Sequence, residues 1–399
     1  MRRKAWAVSL SLVGGFILLL SWWVFRPAGG DPGSSFSQKP TGPENFPQAT
    51  EDSEEIKEQK KDPQPTALIH RPDPVLQAAL QELSERLKGK PDRETVLRLL
   101  REFTQKAFSS NPDGAAAALL EFLRKGGDLP TGLEFAVGEA GLDEWPTLRA
   151  FLLDLLGKID PEIASRYAMD TVIPAKASTV EYAVSLQILW NHGGAEKPTP
   201  ELAQAWLGLL KKADWSTRPD PAWLESLDFA SRIPEAMPEF LKASTEWLAD
   251  PENVVERVGA VDLSLERVAV HQPVVVMKAL IADPSLLGKG RGVYQRSQIF
   301  ARANLNDAGQ QRLLVAYVNG LDPTSREAEL FFDQFPCHNF SVGPGLSGQP
   351  QLQSSRDVIQ SDRAALVWLE SQSNSVWVQK QPDRWRNAVQ KLRQMVRAY

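Results

Sequence analysis

The residues able to do chemistry are few and scattered. Cys337 is the single cysteine, and the four histidines stand at 70, 192, 271 and 338. Cys337-His338-Asn339 places the residue types of a cysteine-protease site on three consecutive positions. A thiolate, its base and the group that orients the base must converge from separate stretches of backbone, whereas neighbours on a loop point apart. The spacing therefore predicts a packed or loop thiol and no catalytic residue. One cysteine also makes no intrachain disulfide, so stability must come from packing. No HExxH, HxH or paired cysteine offers a metal set. His192 falls at a helix end, where a cation suits the dipole, and His271 sits just before Pro273; both have structural explanations.

Two carboxylates invite a hydrolase reading. Glu225-Ser226 and Glu370-Ser371 carry the Glu-Ser dipeptide of periplasmic lytic transglycosylases, enzymes that pair a catalytic glutamate with an α-superhelix. The Gly-Leu-Met-Gln that accompanies the dipeptide in those enzymes is absent here. A G-x-S-x-G elbow is missing as well. Gly288-Lys289-Gly290-Arg291-Gly292 departs from the GxxxxGK[ST] phosphate loop and follows no strand, which excludes a nucleotide cofactor. It does open a basic stretch, Lys289, Arg291, Arg296 and Arg302 with Arg312 beyond, opposed mainly by Asp307. An anionic glycan, lipid headgroup or acidic partner fits such a surface; a solvated loop between helices is the alternative. The whole chain of 399 residues has a net charge of −5, against the basic balance expected of a nucleic-acid binder, and no small-molecule ligand is evident.

The elements that must position these residues read as helices. Asp73-Pro74, Asn111-Pro112, Asp160-Pro161, Asp220-Pro221, Asp250-Pro251, Asp283-Pro284 and Asp322-Pro323 each join a capping side chain to a proline that needs no donor in the first turn. Ser178-Thr179-Val180-Glu181 and Thr324-Ser325-Arg326-Glu327 have capping-box spacing. Gly89, Gly126, Gly193 and Gly320 stand where helices should stop. Between these marks apolar residues recur at helical period, as in Val75, Leu76, Ala79, Leu80, Leu83 and Leu87, and again in Val96, Leu99, Leu100, Phe103 and Ala107. Val274-Val275-Val276, although β-branched, lies between Pro273 and Met277-Lys278-Ala279-Leu280 and is expected to be a buried helix. No alternating run argues for a sheet.

The expected fold is all-α. Helix starts recur every ~15–20 residues, close to the ~40-residue pair of HEAT-type repeats. That spacing predicts an irregular HEAT-like α-solenoid, or else a multi-lobed helical body, over residues 67–336. Gly126–Pro146 and Cys337–Pro350 are Gly/Pro-rich loops, and the interval 337–354 sets off a C-terminal helical cap, 355–399. Within that cap, Trp385, Ala388, Val389, Leu392, Met395, Val396 and Tyr399 share one face of a helix ringed by Arg386, Lys391, Arg393 and Arg397. The tryptophans at 190, 206, 215, 223 and 247 are expected in the core.

A different solvent is implied at the start. Ala5–Phe25 holds no charged residue, and a bilayer needs roughly 20 apolar residues to cross it. Trp22 and Trp23 lie where aromatic rings meet headgroups, and Arg2, Arg3 and Lys4 hold the N-terminus in the cytoplasm. Residues 1–26 are therefore expected to be a single transmembrane signal anchor that exports the body. The competing reading is a signal peptide cleaved near Ala28-Gly29-Gly30 and a secreted protein, but the run exceeds a usual h-region and ends in bulky residues. Pro27 to Thr66, rich in Pro, Gly and charge, is expected to be a disordered linker.

The segments LPTGLEFAVGEAGLDEWPTLRAFLLDLLGKIDPEIA (129–164) and ELFFDQFPCHNFSVGPG (329–345) resemble paired stretches of uncharacterised helical envelope proteins that also begin with one hydrophobic segment. The resemblance spans about half of the body, implies a membrane-tethered helical-repeat protein, and transfers no catalytic residue. The expectation is a single-pass scaffold, with its body extracytoplasmic and a protein or envelope component as partner. A secreted or periplasmic cell-wall hydrolase is the alternative.

Overall fold

A computed structural model describes residues 71–138, 141–175, 177–193, 197–250, 255–288, 291–338, 345–348 and 354–399. The expected span with Arg2, Arg3, Lys4, Trp22 and Trp23, the linker 27–66, and Lys289 lie outside the described residues.

The described chain is all-α apart from one small hairpin. It runs α1 (Pro74–Lys88), α2 (Arg93–Ser109), α3 (Pro112–Arg124), β1 (Ala136–Gly138), β2 (Gly141–Glu144), α4 (Leu148–Ile159), α5 (Pro161–Tyr167), α6 (Thr179–His192), α7 (Pro200–Leu210), α8 (Ala213–Thr217) and α9 (Pro221–Ser226). There follow α10 (Met237–Ala249), α11 (Val255–His271), α12 (Pro273–Ala282), α13 (Arg291–Ala301), α14 (Ala308–Gly320), α15 (Arg326–Gln334), α16 (Ser355–Ser371), α17 (Val376–Lys380) and α18 (Pro382–Ala398). A π-turn, Ala168–Val172, prolongs α5, and 3₁₀ turns at Leu227–Ser231 and Pro234–Ala236 link α9 to α10.

Local chemistry explains most boundaries. Asp73, Asn111, Asp160 and Asp220 accept from the first-turn amides of α1, α3, α5 and α9, each with proline at the next position. Two other Asp-Pro pairs do something else. Asp283 and Asp322 accept from Ser285 N and Thr324 N and close tight turns, so the helix expected at Asp322 begins only at Arg326, capped by Ser325. The reason is geometric: an aspartate accepts from the amide two residues on in a free-standing turn as readily as in a helical first turn. Glu327, expected to close a capping box, instead points into the core toward Arg296. A complete capping box joins Ser354 and Asp357 at α16.

Apolar period decides which faces are buried. Leu76, Leu80, Leu83 and Leu87 of α1 are buried, while Val75, expected in the same stripe, is 72% exposed because it sits a full helical step off the buried face, in the first turn. The β-branched 274–276 run is helical in α12, with Val276, Met277 and Leu280 buried. Trp206 and Trp223 are fully buried, Trp190 nearly so, and Trp215 and Trp247 meet Tyr182 and Trp223 edge to face. The principal helix contacts join partners one to three apart in sequence, among them α3 on α4, α4 on α5 and α6, α6 on α9, α12 on α14, α13 on α15, and α16 on α18. Residues Ala67–Tyr399 cluster as one unit.

Both expected loops carry structure. In 126–146 the strands β1 and β2 pair antiparallel, Val137 opposite Leu142, and Leu129 and Thr131 bond back to Leu148 and Pro146. The sequence shows no alternation here because the strands are three and four residues long and only Leu142 of the pair is buried. In the second loop, Gly345 and Gly348 bridge each other around the buried Leu346. This turn returns to the 227–231 turn: Ser347 N donates to Asp228 Oδ2 (2.8 Å) and Arg232 donates to Ser347 O (3.1 Å). A Cβ on Gly345 would lie 2.4 Å from Asp228 Oδ2, so only glycine permits the approach. The turn thus fastens the middle of the body rather than merely separating it from the C-terminal helices.

Candidate partner-binding groove

A concavity opens between α3 and α5, two helices that both pack on α4. Alanine makes this possible. Ala115, Ala116 and Ala118 bury one side of α3 with Leu119 and Leu123, which leaves Ala117, Leu120 and Glu121 facing away. On α5, Ala164, Ser165 and Tyr167 are buried and Ile163 and Arg166 are turned outward. The space between them has a volume of about 810 Å³. Its apolar lining is Ala117, Leu120 and Ile163, and Tyr167 closes one edge by donating to Leu123 O (3.1 Å).

The rim is polar. Asp113, Glu121, Asp160, Glu162 and Asp170 face Arg124, Lys125 and Arg166, an excess of two carboxylates. Glu121 accepts from Lys125 (2.8 Å) and from Gln77 Nε2 (2.6 Å), and the Lys125 hydrogen bond holds its carboxyl below the usual glutamate range. Glu162 pairs with Arg166 at 3.3 Å. Asp160 spends one oxygen on the Ile163 amide at 2.9 Å. An apolar floor between charged walls suits a side-chain-bearing segment of another protein. Periodicity alone hides this site. Leu120 and Ile163 look like ordinary members of amphipathic stripes, and only the placement of α4 leaves them half covered.

The basic stretch picked out by sequence does not form an outward patch. Arg296 donates in bidentate fashion to Glu327 and also to Pro284 O. Arg302 donates to Glu266 Oε1 at 3.2 Å, and Gln295 donates to the other oxygen of Glu266. Glu266 and Glu327 are buried, and a buried carboxylate without a partner is strongly destabilising, so the arginines fold inward. Tyr317 donates to Glu327 at 2.9 Å, and burial with that carboxylate raises its hydroxyl pKa well above the usual tyrosine range. Arg291, like Arg312 further on, stays exposed. It acts on Asp262, whose carboxyl burial pushes up to about 6.

The remaining candidates have structural partners. His338 Nε2 lies 2.7 Å from Asp362 Oδ1, and Asp362 Oδ2 accepts from Tyr399 at 3.0 Å. Asp362 is wholly buried, so these three residues knot the loop after α15 to α16 and α18. No sequence spacing signals that knot, since its members are 24 and 37 residues from Asp362. Cys337 is half-buried and its amide donates to Ala301 O. His271 lies 3.5 Å from Arg232, and burial, then that cation, push its pKa down. Glu225 is clamped by Arg267 at 2.7 and 3.3 Å; burial raises its pKa and the arginine opposes the rise. Glu370 is exposed and pairs with Arg393. Among the described residues no three metal-capable side chains gather.

The fold defines the class, an all-α protein with one small hairpin. No family model, curated protein or solved structure matches the chain.

Proposed function

We propose that this chain is a membrane-tethered, exported scaffold whose body is an irregular α-solenoid and whose α3–α5 groove holds a segment of a partner protein. The groove carries the reading, through its volume of about 810 Å³ and an apolar floor inside a charged rim. Packing between helices one to three apart supports the solenoid, since stacked pairs bury a continuous core without one central one. The uncharged run Ala5–Phe25 behind Arg2-Arg3-Lys4 supports the tether and its orientation. The excess of rim carboxylates favours a partner segment with basic flanks.

The test is site-specific photo-crosslinking of the full chain in its native host. A crosslinker replacing Leu120 should give a discrete adduct that disappears when Ile163→Asp is added. One replacing Arg101, on the solvent face of α2, should not give it. Adducts identical at both positions, or none at Leu120, would sink the groove reading. Carbonate extraction and N-terminal sequencing of the same material check the tether, which requires a membrane-retained chain that keeps Ala5–Phe25.

A further inference from the structure

The charge of this protein is unevenly distributed. Residues 355–399 hold eight Lys and Arg against four Asp and Glu, whereas residues 1–354 hold 37 against 46. A basic C-terminal unit is therefore attached to an otherwise acidic chain. One of its four acids, Asp362, is buried, so the exposed face is more positive still.

The fold puts five of the eight cations on the exposed faces of two helices, while Arg384 and Lys391 donate to the carbonyls of Pro323 and Asp333. α18 turns Ala388, Val389 and Leu392 toward its neighbours α15, α16 and α17 and leaves Arg386, Gln390, Arg393 and Arg397 exposed at i, i+4, i+7 and i+11. α16 buries Ala365, Trp368 and Leu369 and exposes Arg356, Gln360, Arg363 and Val367 at the same spacing. Residues so spaced fall within a narrow arc of a helix. The Arg393–Glu370 pair (2.8 Å) bridges the two helices and joins the stripes into one face. Three of the five arginines have a carboxylate beside them: Arg393 pairs with Glu370, Arg386 with Asp383, and Arg356 acts on Asp357. Arg363 and Arg397 have no ion pair among the described residues and carry the face's uncompensated charge.

An apolar group accompanies the charge. Val367, within the α16 stripe, is 68% exposed and is one of the few large hydrophobic side chains of the described chain that face solvent. A duplex or an acidic protein would use the cations and gain little from an exposed valine. A bilayer surface uses both, anionic headgroups for the guanidinium groups and the interfacial zone for Val367.

We infer that the α16–α18 face docks on an anionic lipid surface, laying the C-terminal end of the body along a membrane. The inference rests on the tethered reading only in that the tether would keep such a membrane within reach. Each Arg or Lys at an anionic surface strengthens binding by about fivefold, so three charge reversals remove well over a hundredfold. The attraction is screened within ~10 Å at about 0.1 M salt.

The test places the full chain in lipid nanodiscs, with Gln390→Cys carrying an environment-sensitive dye in a Cys337→Ser background. Dye emission should shift to the blue in discs containing phosphatidylglycerol and not in pure phosphatidylcholine. The shift should vanish in about 0.5 M salt and in R386E/R393E/R397E. Reversals at Arg98, Arg101 and Lys106, on the solvent face of α2, should leave it unchanged, and circular dichroism melting checks that each variant folds. A water-exposed dye in both lipids, or equal shifts in both, overturns the inference. If the chain does not enter discs at all, the tether fails instead. Flotation of the same chain with phosphatidylglycerol vesicles then reads the face directly, and flotation no greater than with phosphatidylcholine overturns it.

Discussion

Among individual residues, the outcome is decided by where carboxylates are buried. Glu266, Glu327, Asp228 and Asp362 are all buried, and each is met by an arginine, a tyrosine, a histidine or a backbone amide. Asp262 of α11 is the exception: Arg291 of α13 acts on it from a distance, and among the described residues no hydrogen-bond donor meets it. Its folded pKa of about 6 stands above the ordinary 3.8. The native state therefore binds the proton more tightly than the unfolded chain between those values. Stability from this group is complete below about pH 4 and is lost as pH rises through about 6. Asp262→Asn should abolish that slope and raise stability at pH 7 by about 1–2 kcal/mol, allowing for solvent screening, with little effect below pH 4. Urea denaturation of the wild type and variant at both pH values checks this. A difference that is the same at both would show that Asp262 is not the titrating group. The basic stretch at 289–302 teaches the same lesson from the other side. Its arginines were legible in the sequence, but their direction was not, because Glu266 and Glu327 come from helices 29 to 36 residues away from their partners.

At the scale of the element, capping chemistry and apolar period identified most helices, and failures occurred where one local signal serves two structures. Asp220 and Asp322 each precede proline, yet only Asp220 starts a helix, accepting from Trp223 N at 2.8 Å and from the Thr179 hydroxyl. Asp220→Ala should cost about 1–2 kcal/mol. Asp322→Ala, which opens only an exposed turn, should stay within about 0.5 kcal/mol. Equal losses in chemical denaturation would contradict this division. The 345–348 turn offers a stronger contrast. Sequence marks it as a Gly-rich loop, but Gly345 abuts the Asp228 carboxylate, more than a hundred residues earlier in the chain. Gly345→Ala should destabilise by about 1–3 kcal/mol, as overpacking does, whereas Gly127→Ala, with open space around its Cβ position, should be nearly silent. The β-hairpin before α4 escaped detection because strands this short leave no periodic trace.

For the molecule as a whole, the contacts between near neighbours in sequence make the body a series of locally closed steps fastened by a few longer ones, of which Asp228–Ser347 spans the most sequence and Arg384–Pro323 and Lys391–Asp333 tie back the C-terminal helix. Residues 67–399 expressed alone should fold as a soluble helical protein with one cooperative melt by circular dichroism. A β-rich spectrum, or no transition, would contradict the fold. Removing the 345–348 contact by Asp228→Ala should broaden that melt or split it, because one of the few long-range fasteners is gone.

What the sequence determined by itself was what depends on local physics. It set the helical class, the majority of helix starts and stops, the buried stripes, and the position of the C-terminal helices. Those follow from side chains acting on their own backbone within a few residues. Only the tertiary structure decided which charges turn inward, which half-apolar stripe is left open as the α3–α5 groove, and how α16 and α18 align their arginines into one face. Each of these depends on the free energy of burying a group against a partner remote in sequence, and no local pattern records which partner that will be.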